Sequence, residues 1–187
     1  EDHAEHQVQH DEEAEHTQMR MGMHRADLIE STKGLSDAQW NFKPATNRWS
    51  VAEVTEHIAA AVGFLMWMIQ DKVMKSPART EPADVKALDE FVLKAITDRT
   101  TKVQAPEPLQ PNNRFGSPAA SLKQFQDSRA KTIEFLKSTD DLRMHAMDSP
   151  LGKKFDGYQW VLFIGAHSER HTKQLNEVKA DPNFPKK

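Results

Sequence analysis

Apolar residues recur every three or four positions along most of this chain, the period expected of helices that bury one face. The pattern covers five stretches, at about residues 12–34, 51–74, 85–96, 118–136 and 157–179. Period-two alternation is absent and runs of β-branched residues are short, so no strand is predicted. The pattern predicts an all-α fold, most economically a four-helix bundle with a proline-rich connection between the third and fourth long helices.

Capping residues set the expected helix starts. Ser50 and Glu53 form an S-x-x-E capping box, in which each side chain satisfies a free backbone N–H group, so a helix is predicted to begin at Val51. Two further helix starts are marked by Ser117, which precedes Pro118, and by Asp156, whose helix is expected to run to about Lys179.

The connections are rich in proline, glycine and small polar residues. Gly34 is expected to end the first helix in a left-handed cap. Residues 35–49 are predicted to form a linker, and Pro77 with Pro82 breaks the pattern before the third helix. The segment 105–118 contains four prolines and is expected to be a long surface connection.

The first sixteen residues differ from the rest. They are polar, with four histidines among acidic residues and glutamines and one sizeable apolar side chain. Such a segment buries too little surface to offset its ordering entropy, so 1–16 is predicted to be a partly mobile, solvated helical extension rather than a metal site. The bundle is expected to span 17–180, and 181–187 to form a C-terminal tail.

Composition narrows the classes of function. The 187 residues suffice for one domain, and a net charge of -3 gives no reason to expect a nucleic-acid partner. The absence of cysteine removes disulfides and thiolate ligands, which leaves histidine and carboxylate as the strong metal ligands. No apolar run reaches the roughly 18 to 20 residues of a membrane span.

The first residue, Glu1, indicates that a preceding segment has been removed, because translation begins with Met. Signal cleavage and artificial truncation are both consistent with this start. An exported or periplasmic location is favoured weakly over a cytoplasmic one.

Three histidines are the candidate chemistry. His167 and His171 are four residues apart and project from one helix face, a spacing at which two imidazoles can bind one metal ion. His57 lies on the apolar stripe of its own helix and could add a third ligand, leaving a coordination position open. An unpaired buried imidazole costs about 1–3 kcal/mol. The residues alone leave two interpretations, hydrogen-bonded core histidines or a three-histidine metal site.

No catalytic residue is identified by the pattern, but three polar side chains are candidates for supporting roles. Glu53 precedes His57's turn and is better explained by capping. Gln174 could orient a ligand or substrate, with packing at the bundle end as the alternative. Arg170 could meet an anionic substrate, or form a surface ion pair with Glu169 or Glu177.

The remaining histidines and the tryptophans are expected to be structural. His24 in the first helix and His145 in a polar connection are expected at the surface. Four tryptophans are expected to anchor the core: Trp40, Trp49, Trp67 and Trp160.

Two groups of residues resemble those of a known family. The first group comprises Leu35-Ser36, Gln39-Trp40, Lys43-Pro44, Trp49 to Glu53, and His57. The second comprises Tyr158 to Trp160, His167, Glu169 to His171, and Gln174. Together they resemble the DinB-like (YfiT-like) superfamily of metal-binding helical bundles, over about Met19 to Lys179.

The resemblance implies an up-down-down-up bundle in which His57, His167 and His171 bind nickel or zinc. It also implies two kinds of activity, because the superfamily includes thiol-dependent S-transferases and isomerases beside members labelled only as metal-dependent hydrolases. The expected partner is a small-molecule substrate, with a low-molecular-weight thiol as one candidate, and a homodimer is left open. The alternative is a non-catalytic metal-binding or stress-related bundle that acts through binding or oligomerisation.

Overall fold

The computed structural model describes residues 2–81 and 83–187, with the side chains of residues 2, 3 and 6 left aside. Pro82, Glu1 and the side chains of His3 and His6 therefore lie outside the described part. The described residues form six α-helices: α1 (Asp2–Thr32), α2 (Asp37–Asn41), α3 (Val51–Met68), α4 (Val85–Thr97), α5 (Pro118–Ser138) and α6 (Gly157–Lys179). Two short strands form a hairpin: β1 (Ala146–Asp148) and β2 (Lys154–Asp156).

Helices α1, α3, α5 and α6 form a four-helix bundle, and α1 and α6 run in the same direction. Near their starts, the Tyr158 hydroxyl donates to the Glu13 carbonyl oxygen at 3.1 Å. Near their ends, the Asn176 amide donates to the Ser31 hydroxyl at 3.2 Å. The first and last helices of the chain therefore lie parallel and adjacent.

Helix α5 runs opposite to α1. The ring of His10, early in α1, lies 3.1 Å from the carbonyl oxygen of Thr139, just after α5. Further along, Arg129 of α5 donates to the Met21 carbonyl oxygen at 3.2 Å.

Helix α3 runs opposite to α6, because His57 near the start of α3 meets His171 near the end of α6, at 3.2 Å. With α1 and α6 up, α3 and α5 both run down. This arrangement confirms the expected up-down-down-up four-helix bundle.

Helix α4 stands outside the bundle and packs beside α6. The Gln159 amide at the start of α6 donates to the Asp89 carboxylate at 3.0 Å, and Arg170 reaches the carbonyl oxygen of Ile96 at 3.4 Å. The proline-rich segment follows α4 and leads into α5, in the position expected for it.

The expected caps are present where each helix begins. Ser50 and Glu53 make both bonds of a capping box at α3, and Asp156 with Gln159 does the same at α6. Ser117 caps α5, whose first residue is Pro118. These signals are local in sequence, which is why they predict boundaries well.

Helix α3 is largely buried in the bundle. Its stretch Val51–Val73, which ends in one π-helical turn, is the one described helix long and apolar enough to cross a membrane. Most of that stretch is buried by the other helices, as in the core helix of a globular bundle. The largest fully buried side chains of this stretch include Ile58 and Ile69. Burial of each contributes about 1.5–3 kcal/mol to the free energy of unfolding.

The prediction that the chain has no strands is wrong for the connection between α5 and α6. Strands β1 and β2 pair antiparallel, with Met147 opposite Phe155. Three residues per strand are too few for a period-two pattern to be visible. The hairpin turn places Gly152 at φ 73°, a conformation that glycine adopts without steric cost.

Other boundaries also differ from the sequence pattern. Helix α1 begins at Asp2 rather than about residue 12, and the linker at 35–49 contains α2, which is capped by Ser36 with Gln39. The C-terminal residues pack on α2, since the Gln39 amide donates to the Pro185 carbonyl oxygen at 3.0 Å. Gly34 has φ 67°, as expected for its cap. The division into an extension, a bundle and a tail stays a prediction.

Candidate metal centre

The three candidate histidines converge between α3 and α6. The Nε2 atom of His57 lies 3.3 Å from that of His167 and 3.2 Å from that of His171, and the last two are 3.0 Å apart. Among the residues that the structure describes, this is the one group of three or more histidines or carboxylates close enough to share a metal ion. The helices thus bring His57 to two residues that lie 110 and 114 positions later in the chain.

His57 is fixed by the proline-rich segment. Its Nδ1 atom lies 2.8 Å from the carbonyl oxygen of Leu109, and its ring is 2% exposed. A carbonyl oxygen only accepts hydrogen bonds, so Nδ1 must carry the proton. In the neutral ring, Nε2 then presents its lone pair toward the other two histidines.

His171 is fixed in the same way by Gln174, one turn later on α6. Its Nδ1 atom lies 2.7 Å from the Gln174 side-chain oxygen, which accepts the Nδ1 proton. This hydrogen bond orients the His171 ring, and the supporting role expected for Gln174 at a metal site stays a prediction.

Burial keeps these rings neutral. It lowers the pKa of His57, and it lowers the pKa of His171 to about 3, with the charge of His57 adding to the effect. The pKa of His167 is also lowered, by burial first and then by the two neighbouring imidazoles. Lone pairs on His57 and His171 that face each other at 3.2 Å need a cation between them, and lowered pKa values disfavour a proton in that role.

The nitrogen spacing fits a divalent ion. In a tetrahedral site with metal–nitrogen bonds of about 2.0–2.1 Å, two imidazole nitrogens are separated by about 3.3 Å. The three observed separations are 3.0 to 3.3 Å. The Nδ1 atoms of His57 and His171 point away from the cluster, and each donates its proton to an oxygen atom. Metal-binding histidines usually have such a partner.

Aromatic side chains enclose the rings. The Trp49 ring centroid lies 5.0 Å from that of His57, and Phe163 stacks on His167 at 6.2 Å. Trp49 therefore contacts the site as well as the start of α3. Trp67, expected in the core, is instead 49% exposed, and Phe64, on the stripe of His57, is 40% exposed.

The other two candidate supporting residues have their described hydrogen bonds with groups other than the imidazoles. Glu53 accepts from the Ser50 N–H group at 3.1 Å and lies 3.4 Å from the Lys43 ammonium, so capping accounts for its carboxylate. Arg170 is 9% exposed and donates to backbone carbonyl oxygens at the end of α4 and just after it, that of Ile96 at 3.4 Å and that of Thr101 at 2.7 Å. In the described part of the chain, Glu169 pairs with Lys173 and Glu177 with Arg99, so the suggested surface ion pair of Arg170 is not formed. Its suggested contact with an anionic substrate stays a prediction.

The expectation of a surface position is wrong for His24, whereas His145 is intermediate in exposure. His24 is 8% exposed because its face of α1 packs on α6, where its Nε2 atom lies 3.1 Å from the Glu169 carboxylate. His145 is held beside the hairpin, with Nδ1 at 2.7 Å from the Ser76 carbonyl oxygen. Neither joins the three-histidine group.

The structure adds functional contacts that the sequence pattern did not predict. The segment 105–118 is not only a surface connection, because Leu109 is buried against Ala60 and Ala61 and supplies the carbonyl that binds His57. Glu56 is buried beside His57 and binds the same segment. The signal in the sequence that could have indicated this contact is the carboxylate of Glu56 within an otherwise apolar helix.

A groove among the described residues lies elsewhere. It runs between α1 and α6, with a volume of about 690 Å³, and its lining includes Arg20, His24 and Lys173. None of the three converging histidines lines it, and it mixes positive and negative charges without a dominant sign. The geometry of the histidines, rather than cavity size, identifies the candidate site.

Comparisons with known proteins agree with this picture. The sequence profile of the DinB superfamily matches residues 20–175. The uncharacterized protein YuaE of Bacillus subtilis (strain 168) is 31% identical over 158 residues, which are 83% of this chain and 92% of that protein. Among solved structures, YfiT from Bacillus subtilis matches 92% of this chain and 89% of its own, with a TM-score of 0.56 and 14% identity. YfiT is described as a probable metal-dependent hydrolase with an unusual four-helix bundle topology, and at this identity the likeness shows the fold alone.

Proposed function

This chain belongs to the DinB superfamily, and from that premise we propose that it is a metal-dependent hydrolase of a small molecule. His57, His167 and His171 bind one divalent ion, nickel or zinc. The observation that carries the proposal is the convergence of three Nε2 atoms within 3.3 Å, in rings whose protonation is disfavoured by burial. The description of YfiT supports hydrolysis as the reaction class.

Three imidazole ligands suit a catalytic metal ion better than a structural one. Three imidazoles leave a coordination position open, and an ion so held supplies Lewis acidity that makes water or a thiol nucleophilic near neutral pH. Neutral imidazoles keep the positive charge of the ion uncompensated, which strengthens this effect. Nickel and zinc both accept nitrogen ligands of this kind.

The protein's own residues orient and shield the site. Leu109 and Gln174 fix two rings by accepting their Nδ1 protons. Trp49 and Phe163 limit the access of water to two of the rings and offer apolar surface to a substrate. The carboxylates of Glu53 and Glu56 are both engaged by backbone N–H groups, so neither is free to take a proton from a nucleophile.

The proposal is tested by activity of zinc- and nickel-loaded protein on small nitrophenyl esters and anilides, with His167→Ala as the matched control. Turnover that requires metal and is lost in the variant is the expected result. If the protein instead conjugates a low-molecular-weight thiol to a model electrophile and hydrolyses nothing, the proposed activity is wrong and thiol transfer takes its place. A metal-loaded protein inactive in both assays would contradict an enzymatic role and favour a binding protein.

A further inference from the structure

Two adjacent side chains of α3 hold the same segment of the proline-rich connection. The His57 ring donates to the Leu109 carbonyl oxygen at 2.8 Å. The Glu56 carboxylate accepts from the backbone N–H groups of Asn112 at 3.0 Å and Arg114 at 2.6 Å. The segment is therefore fixed at two points that are neighbours in the helix.

The guanidinium of Arg114 then fixes the backbone on both sides of Leu109. Its Nη1 atom donates to the Pro108 carbonyl oxygen at 2.9 Å, and its Nη2 atom donates to that of Gln110 at 2.7 Å. These carbonyls flank the one that binds His57. A planar guanidinium that binds two neighbouring carbonyls restrains the orientation of the peptide groups between them.

Glu56 holds Arg114 in this position. Its carboxylate binds the Arg114 backbone and lies 3.7 Å from the guanidinium Nε atom. Asn113, between the two bound N–H groups, has φ 59°, a left-handed conformation that turns the chain so that both neighbours face the carboxylate.

Apolar contacts would be sufficient to attach this segment to α3. Leu109 packs against Ala60 and Ala61, and Phe115 packs against the same cluster. A carboxylate that is 4% exposed is tolerated only because its hydrogen bonds and its ionic partner compensate for lost hydration. What the Glu56–Arg114 contacts add to the apolar ones is a defined direction for the Leu109 carbonyl.

We propose that Glu56 and Arg114 are positioning residues for His57. They hold the Leu109 carbonyl against Nδ1, which keeps the Nδ1–H tautomer and turns the Nε2 lone pair toward the metal. This inference rests on the proposed metal site for its purpose, but the tautomer itself is a property of the metal-free protein.

Nitrogen-15 NMR of the histidine rings in metal-free protein tests the first half. Wild-type His57 is expected to be almost entirely the Nδ1–H tautomer. In Arg114→Ala and Glu56→Gln, it is expected to become a mixture of both tautomers. Arg114→Lys keeps the charge but loses the planar fork, and is expected to resemble Arg114→Ala.

Asp89→Asn is the matched control, because Asp89 is another carboxylate bound by an arginine, in this case Arg143 at 2.8 Å near the other end of the bundle. It is expected to lower the melting temperature without changing the His57 tautomer. A role of Glu56 and Arg114 in stability alone would likewise lower the melting temperature and leave the tautomer unchanged.

Cobalt titration, followed by visible absorption, tests the second half. The affinities of Arg114→Ala and Glu56→Gln are expected to fall about tenfold, as for other partners of metal-binding histidines, while Asp89→Asn matches the wild type. Variants that keep both the wild-type tautomer and the wild-type affinity would overturn the inference. A wild-type protein that binds no cobalt would instead refute the metal site, and the NMR result would still decide the positioning role.

Discussion

Gln174 acts on the candidate site through one hydrogen bond, from the Nδ1 proton of His171 at 2.7 Å. Its removal leaves that ring free to rotate and to change tautomer. Contacts of this kind commonly change metal affinity by about 10- to 100-fold.

We therefore predict that Gln174→Ala weakens zinc binding about tenfold in competition with a chromophoric chelator. Asn176→Ala is the control, because Asn176 is on the same helix but binds Ser31 of α1. Equal zinc affinity in Gln174→Ala and the wild type would show that His171 needs no such support.

His24 is a buried titratable residue that lies outside the three-histidine group. Burial lowers the pKa of His24 despite the opposing charge of Glu169. A histidine whose pKa is lower folded than unfolded favours the folded state fully above the unfolded pKa, and this contribution is lost as the pH falls below it.

The unfolding free energy of the metal-free wild type should therefore fall as the pH drops below about 6.5, by up to about 1.4 kcal/mol per pH unit for this one group. In His24→Gln that part of the slope should disappear, as measured by urea unfolding at several pH values. Parallel pH profiles for the two proteins would contradict the assignment.

At the scale of elements, α5 contributes a buried positive charge to its contact with α1 and α6. Arg129 is fully buried and donates to the Met21 carbonyl oxygen and, at 2.6 Å, to the Ser168 hydroxyl. Its Nε atom has no partner, and no carboxylate of the described residues lies within ion-pair distance. Burial lowers the pKa of Arg129 to about 10.

Arg129→Met should leave stability unchanged or raise the unfolding free energy by about 1–3 kcal/mol, since an apolar side chain of similar length avoids this desolvation cost. Ser168 keeps a partner in the Ile164 carbonyl oxygen. Chemical denaturation measures the change, and a loss of more than about 1 kcal/mol would show that the buried charge is stabilising.

The elements also show what the sequence could predict. Helix starts such as Ser50 and Asp156 were predictable because capping involves residues three apart. The position of Arg170 was not, because it depends on α4 packing beside α6, across a separation of 74 residues. The exposure of Phe64 was not predictable for the same reason, since an apolar stripe does not reveal which part of it another helix covers.

At the scale of the molecule, the candidate site depends on the topology. Because α3 and α6 run in opposite directions, the start of one meets the end of the other, and His57 faces His171. The sequence identified the three histidines, but the Leu109 carbonyl that fixes His57 lies 52 residues away in a connection without periodicity. Patterns confined to one helix could not predict that contact.

With the proposed metal site, the same convergence couples metal binding to folding. The folded protein gathers three ligands that are dispersed when the chain is unfolded, so a bound ion should stabilise the fold by about 2.7 kcal/mol when its concentration is 100 times the dissociation constant. The melting temperature should therefore rise with zinc or nickel and fall again with a chelator.

The most direct test of the account is elemental analysis of the untagged protein beside a His167→Ala, His171→Ala double variant, after equilibration with zinc or nickel and removal of free ion. The account predicts about one bound ion per wild-type chain, none in the double variant, and a metal-dependent rise in melting temperature in the wild type alone. Equal metal content in the two proteins, or a wild type that retains only a trace and gains no thermal stability, would contradict it.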